Sequence, residues 1–223
     1  AMMAAILLRE HPGTTIVTDS ITSTGLAAFI RKHGGVHHRF KRGYRNVINE
    51  SMRLNREGHD SQLAMETSGH GALKENYFLD DGAYLVTRLL IELARAKKEG
   101  YTLESLIADL AEPAESKEFR MNILVPDFKA YGQKIIDELN VYAASQPGWS
   151  VAPDNFEGVR VNLDKAHGDG WFLLRLSLHD PLIPLNIESD SVGGVRQIAA
   201  ELAPFLRPFD QLDTSALLAF AGC

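Results

Sequence analysis

The stretch TTIVT, residues 14–18, decides the fold of the first half of the chain, because it is short, β-branched and closed by a polar turn. Such a run is typical of a buried strand. The elements that follow alternate in type: a helix over 23–32, a strand over 36–41, a helix over 47–56 and a strand over 62–65. This order of strands and helices predicts an α/β sheet with parallel pairs.

A polar, proline-bearing segment at residues 111–116 predicts a domain boundary. Before it, leucines that recur every four residues predict a helix over 84–97, and a shorter helix is predicted over 103–110. The elements predicted after it are a strand at 119–125, a helix at 128–144, strands at 158–163, 171–178 and 182–188, and a helix at 192–206. That order indicates an α+β layer with an antiparallel sheet. We therefore predict two domains, residues 1–113 and 114–223.

Composition narrows the class of protein. No apolar run is long enough for a membrane span, which argues against a membrane protein. The net charge of -6 argues against a general nucleic-acid binder, although a few cationic side chains can still converge on an anion. The single cysteine, Cys223, cannot form an internal disulfide. We therefore expect a globular protein in the reducing cytoplasm.

The stretch ETSGH, residues 66–70, follows the last strand of the first pattern, where α/β sheets place ligands. Glu66 can accept two hydrogen bonds from neighbouring hydroxyl groups, and Ser68 can add a third. Gly69 permits close approach of the backbone, and His70 can transfer protons near neutral pH. An ordinary polar loop is the alternative on these five residues alone.

A second polar set lies on the strand predicted at residues 171–178, where leucines alternate with Arg175, Ser177 and His179. Because side chains alternate between the two faces of a strand, the leucines would face the core and the three polar side chains would share the other face. Arginine can bind two phosphate oxygens at once, and Ser177, His179 and backbone N–H groups can complete the cradle. The alternative is the solvated face of an amphipathic strand.

Two smaller polar segments lie near the first loop. Residues 41–46 form a basic turn that contains Tyr44 and Arg45, for which a solvated turn is the alternative. Asp80 and Asp81 directly precede the helix predicted at 84–97, and we expect them to cap that helix rather than to hold a metal ion.

The first loop resembles the sugar-binding loop of the α-D-phosphohexomutases, the phosphoglucomutase/phosphomannomutase superfamily, which reads Glu-x-Ser-Gly-His. This sequence has Glu66, Ser68, Gly69 and His70 at those places. The residues that follow the loop, which include Lys74, also resemble those that follow it in the superfamily. The resemblance implies that Glu66 and Ser68 bind the sugar hydroxyls with help from Gly69 and Lys74. It also places His70 beside the reacting centre.

The second loop is similar to the phosphate-binding loop of the same superfamily, which reads roughly Arg-x-Ser-x-Thr-x-Pro. Arg175 and Ser177 match it, whereas His179 replaces the usual threonine. The resemblance implies that these three side chains bind the distal phosphate. A Gly-aromatic or Gly-His turn with basic neighbours faces the cleft in the superfamily, so Tyr44 and Arg45 join the residues expected to bind substrate.

The resemblance spans nearly the whole chain and implies its architecture. Residues 1–113 would be the third domain, an α/β domain with a mixed sheet and the sugar-binding loop. Residues 114–223 would be the C-terminal domain, an α+β domain of the TATA-binding-protein-like type with the phosphate-binding loop.

The superfamily's reaction needs parts that are not in these 223 residues. A phosphoserine in its first domain transfers a phosphoryl group to a sugar monophosphate, and Mg²⁺ is held by its second domain; neither loop occurs here. We therefore expect a C-terminal fragment of a mutase that interconverts hexose 1-phosphate and hexose 6-phosphate through a bisphosphate. Alone it would be inactive and would bind no metal. Its partners would be a hexose phosphate and the missing N-terminal domains, with no nucleic acid and no membrane.

Two alternatives stay open at this point. The chain could be a non-catalytic sugar-phosphate-binding protein. It could also be a divergent paralogue for another phosphorylated ligand, since Leu178, His179 and Leu185 stand where many members carry a small polar residue, a threonine and a second arginine.

Overall fold

In the computed structural model, which describes residues 1–177 and 180–223, the chain divides into two units, Ala1–Glu112 and Pro113–Cys223. The elements of the first unit are α1 (Met2–Glu10), β1 (Thr15–Thr18), α2 (Thr24–Lys32), β2 (Val36–Arg39), α3 (Tyr44–Arg56), β3 (Ser61–Met65), β4 (Gly71–Leu73) and α4 (Gly82–Glu99). Short 3-10 helices lie at Lys74–Asn76 and Glu104–Ile107.

The sheet of the first unit is mixed, in the order β2-β1-β3-β4. β1 pairs in parallel with β2 and β3, and β4 runs antiparallel to β3. β1 is buried along its whole length, as its β-branched sequence predicts. The sheet therefore confirms the predicted α/β class, and it places the end of β3 and the loop after it beside the end of β1.

Helix α1 was not predicted, because its apolar residues do not alternate with polar ones. Its middle six residues are all buried, as expected for a helix packed on several sides. At its polar end, three ion pairs link α1 to α4: Arg9 pairs with Glu92, and Glu10 pairs with both Arg88 and Arg95.

The second unit is an α+β layer. Its elements are β5 (Glu115–Asn122), α5 (Phe128–Ala144), β6 (Trp149–Val151), β7 (Val159–Leu163), β8 (Gly170–Leu174), β9 (Leu182–Ser189), α6 (Gly194–Leu206) and α7 (Ser215–Ala221), with a 3-10 helix at Lys165–His167. Its sheet has the order β5-β9-β8-β7-β6, with antiparallel pairs throughout the described residues. Residues of α5 and α6 close one continuous core against this sheet. The predicted antiparallel α+β class is confirmed.

The strand predicted at 171–178 is too long, since β8 ends at Leu174. Beyond that point the N–H groups of Arg175 and Ser177 still donate to the carbonyls of Pro184 and Leu182, and Leu176 packs against α5. The predicted alternation of core and outer side chains therefore continues through Ser177 although the regular strand has ended. Leu178 and His179 lie outside the described residues. Leu185 is fully buried and pairs with Leu174 across β8 and with Phe119 across β5, so its side chain belongs to the core rather than to a ligand site.

None of the helices in the described parts of the chain is both long and apolar enough to cross a membrane.

Candidate functional site

The loop at residues 66–70 is a tight turn that joins β3 to β4. The backbone N–H of Glu66 donates to the carbonyl of His70 at 2.9 Å, and the N–H of Gly69 donates to the carbonyl of Glu66 at 3.1 Å. Gly69 has a φ of +95°, a conformation that side-chain-bearing residues rarely adopt. The glycine is therefore needed for the turn, and the turn presents Glu66 and Ser68 from the same short segment.

Glu66 connects this loop to the basic turn. Its side chain is buried, with Oε1 accepting the backbone N–H of Gly43 at 2.6 Å and Oε2 accepting the hydroxyl of Ser68 at 3.3 Å. Gly43 is the N-cap of α3, so the carboxylate also lies at the positive end of a helix dipole. The structure thus brings together two segments that are more than twenty residues apart and that the sequence singled out separately.

His70 lies against that basic turn. Its ring stacks on Tyr44 with centroids 5.3 Å apart and an interplanar angle of 24°. The guanidinium of Arg45 donates to the Tyr44 hydroxyl at 3.1 Å. Glu66, Ser68, His70, Tyr44 and Arg45 therefore form one cluster, which we call the hydroxyl cluster.

The two aspartates before α4 have different partners. Asp81 is the N-cap, as predicted, and accepts the N–H of Tyr84 at 3.0 Å. Asp80 does not cap the helix: its Oδ2 lies 2.8 Å from Nδ1 of His70, and its Oδ1 accepts the N–H of Gly71 at 3.2 Å. The prediction was therefore right for Asp81 and wrong for Asp80, because the turn before α4 points Asp80 back toward the loop.

The structure does not bring Lys74 to the hydroxyl cluster. Lys74 follows β4, and its Nζ pairs with Oδ1 of Asp60 at 2.9 Å, just before β3 begins. Because β3 and β4 are antiparallel, this pair lies at the opposite end of the hairpin from Glu66.

Asp19 is a residue that sequence reasoning missed. It is fully buried at the end of β1, and its Oδ2 accepts both the N–H of Thr67 at 3.2 Å and the Thr67 hydroxyl at 2.8 Å. Its Oδ1 accepts the hydroxyl of Thr22 at 2.9 Å. Asp19 therefore anchors Thr67, the loop residue between Glu66 and Ser68. Its position at the carboxyl end of a parallel strand was the available signal.

The segment at residues 175–177 begins the connection between β8 and β9. The backbone N–H of Arg175 donates to the carbonyl of Pro184 at 3.2 Å, and that of Ser177 donates to the carbonyl of Leu182 at 3.0 Å. The Ser177 hydroxyl accepts the N–H of Asp180 at 3.3 Å. Of the three side chains predicted to bind phosphate, Arg175 and Ser177 are half-buried. The third, His179, lies outside the described residues.

Two glycines shape this connection. A Cβ at Gly158 would lie 2.1 Å from the Leu174 carbonyl and 2.7 Å from the Cα of Arg175, so only glycine allows this approach. A Cβ at Gly132 of α5 would lie 2.4 Å from the Cδ1 of Leu176. Both glycines therefore position the backbone on which Arg175 and Ser177 stand.

Within residues 1–177 and 180–223, no group of three or more His, Cys, Asp or Glu side chains lies close enough together to hold a metal ion.

Comparison with known proteins places this geometry in a family. Residues 1–113 match the protein-family model for the phosphoglucomutase/phosphomannomutase alpha/beta/alpha domain III. The chain is 28% identical over 198 residues to the phosphoglucomutase of Neisseria meningitidis, and 32% identical over 199 residues to the phosphomannomutase/phosphoglucomutase of Pseudomonas putida. In both cases the match covers 88% of this chain and 39% of the relative, so the chain spans about two fifths of their length.

The similarity extends through both units. A crystal structure of a phosphoglucomutase/phosphomannomutase family protein from Burkholderia thailandensis superimposes with a TM-score of 0.73 at 27% identity, covering 95% of this chain and 42% of that one. The chain therefore belongs to the phosphoglucomutase/phosphomannomutase family of α-D-phosphohexomutases and corresponds to its C-terminal part, from the third domain onward.

Proposed function

We propose that this chain is the ligand-holding C-terminal part of a phosphohexomutase, an enzyme that interconverts hexose 1-phosphate and hexose 6-phosphate through a bisphosphate. In this proposal residues 1–113 are the third domain and residues 114–223 the fourth. The observation that carries it is the buried carboxylate of Glu66, which is already anchored by Gly43 and Ser68 within a family-type loop.

The role of Glu66 follows from its hydrogen bonding. A carboxylate offers about four lone-pair sites, and the two described hydrogen bonds leave acceptor capacity for ligand hydroxyls. Because the group is buried and fixed, little side-chain entropy is lost when a sugar binds. We therefore assign Glu66 and Ser68 to the hydroxyl groups of the hexose, with Gly69, Tyr44 and Arg45 beside them. Lys74 is not part of this assignment.

Arg175 and Ser177 are assigned to the non-transferring phosphate. A guanidinium binds two phosphate oxygens in a fixed geometry, which gives orientation as well as affinity. His70 is assigned to proton transfer at the hydroxyl that accepts or loses the phosphoryl group. Positioning of this kind can lower a barrier by several kcal/mol.

The magnesium ion and the phosphoserine of the family belong, in this proposal, to the part of the protein outside these residues. We propose that the chain alone shows no mutase turnover. A non-catalytic sugar-phosphate-binding protein would use the same groups, so turnover must be tested on a protein that contains the family's front half as well.

Calorimetric titration with glucose 1-phosphate and with mannose 1-phosphate tests the assignment. We expect binding to the unaltered chain, at least a tenfold loss in Arg175→Ala, and a comparable loss in Glu66→Gln. The matched controls are Arg207→Ala and Glu99→Gln, which remove the same charges at exposed positions. Equal losses in the controls and in the site variants would contradict the assignment, because they would report net charge rather than a site.

A further inference from the structure

Two neighbours restrict the imidazole of His70. Its Nδ1 lies 2.8 Å from Oδ2 of Asp80, and one face of the ring is covered by Tyr44. About half of the side chain (51%) is nevertheless exposed. Among the described residues, no hydrogen bond involves the other ring nitrogen, Nε2.

Asp80 is itself fixed in place. Its Oδ1 accepts the N–H of Gly71 at 3.2 Å, and only about a quarter of its side chain (26%) is exposed. An ionised carboxylate has no hydrogen to donate, so its contact with Nδ1 requires the proton to be on the imidazole. In neutral His70 the proton then stays on Nδ1, and the lone pair is on Nε2.

We propose that Asp80 is a positioning residue that holds His70 in the Nδ1–H tautomer, so that the Nε2 lone pair accepts a hydrogen bond from a ligand hydroxyl. The same logic applies in the Ser-His-Asp triad, where a buried aspartate fixes the tautomer of the histidine without taking up the proton. The identity of that hydroxyl, on a sugar phosphate, rests on the proposed function; the tautomer does not.

Asp81 provides a matched control because it stands next to Asp80 but has other partners. It accepts the N–H of Tyr84 at 3.0 Å and the side-chain amide of Asn76 at 3.3 Å. An asparagine caps a helix about as well as an aspartate, so Asp81→Asn should fold normally.

The test is long-range ¹H–¹⁵N NMR of the histidine rings in the ¹⁵N-labelled 223-residue chain at about pH 8, where unperturbed histidine is neutral. The His70 signals are identified by their loss in His70→Gln. We expect a protonated-type shift at Nδ1 and an unprotonated-type shift at Nε2. In Asp80→Asn and Asp80→Ala the two shifts should exchange, and in Asp81→Asn they should stay.

Two results would overturn the inference: an Nε2–H tautomer in the unaltered chain, or an Nδ1–H tautomer that persists in both Asp80 variants. The measurement needs no ligand. A failure of hexose phosphate to bind would therefore count against the proposed function and not against this role of Asp80.

Discussion

At the scale of single residues, Asp19 shows how one buried carboxylate sets the shape of a loop 48 residues further along the chain. The carboxylate is fully buried and binds Thr22 and Thr67 through neutral donors. A buried charge of this kind is retained only when its hydrogen bonds are made. The loop therefore depends on a residue that need not touch the ligand.

We predict that Asp19→Ala destabilises the first unit by about 1–3 kcal/mol, because the donors of Thr22 and Thr67 lose their acceptor. Urea unfolding followed by circular dichroism measures the change. The control, Asp137→Ala, removes an exposed carboxylate of α5 and should stay within about 0.5 kcal/mol of the unaltered chain. Equal effects of the two substitutions would show that Asp19 is not structural.

The buried carboxylate of Glu50 makes the stability of the first unit depend on pH. The hydrogen bond from Arg53 holds the pKa of the buried Glu50 carboxyl below its usual range, and His38 adds to the effect. A lowered pKa in the folded state contributes stability above the unfolded value of roughly 4.3, and this contribution is lost as the pH falls through the folded value.

Arg53→Gln should therefore lower stability near neutral pH, and its difference from the unaltered chain should shrink as the pH falls below about 4. The difference in stability between the two proteins is obtained from urea unfolding midpoints measured from neutral pH to below about 4. Arg56→Gln, one turn along α3 at an exposed position, is the control and should show no such pH dependence. A difference that stays constant down to the lowest pH would refute the role of Glu50.

At the scale of elements, the connection after β8 depends on the helix it packs against. A methyl group at Gly132 would have to displace Leu176, which lies between the two proposed phosphate ligands in sequence. Alanine favours the helix by about 1 kcal/mol over glycine, whereas overpacking costs about 1–3 kcal/mol.

We therefore predict that Gly132→Ala shifts the backbone amide NMR signals of Arg175 and Ser177, with a net loss of stability of no more than about 2 kcal/mol. The control is Gly82→Ala at the start of α4, where an added Cβ meets nothing within 4 Å. That variant should stabilise the chain by about 0.4–1 kcal/mol and leave both signals in place. Unmoved signals in Gly132→Ala would show that α5 does not position the loop.

Elements with a distinctive sequence pattern could be predicted, and those without one could not. The β-branched run predicted β1, which is buried on both faces. The leucine repeat predicted the helix α4 but not its buried face, because Leu93 is exposed whereas Glu92 is buried. Helix α1 is buried almost throughout and β4 has only three residues, so neither carries a period. The loops were recognised by their side-chain chemistry, but the contacts of Glu66 with Gly43 and of His70 with Asp80 arise from tertiary packing.

At the scale of the whole molecule, the chain has two units of similar size, each with its own buried core. Units of about this size usually fold alone. We predict that residues 1–112 and residues 113–223, expressed separately, each unfold cooperatively in urea. A segment that shows no cooperative transition by itself would show that its core needs the rest of the chain.

We have proposed that these residues form the ligand-holding part of a phosphohexomutase. The most direct test is an ¹H–¹⁵N NMR titration of the 223-residue chain with glucose 1-phosphate. We expect saturable shifts concentrated at the backbone amides of Gly43, of residues 66–70 and of Arg175 and Ser177. Saturable shifts elsewhere that leave these amides unmoved, or no shift at millimolar ligand, would contradict the proposal.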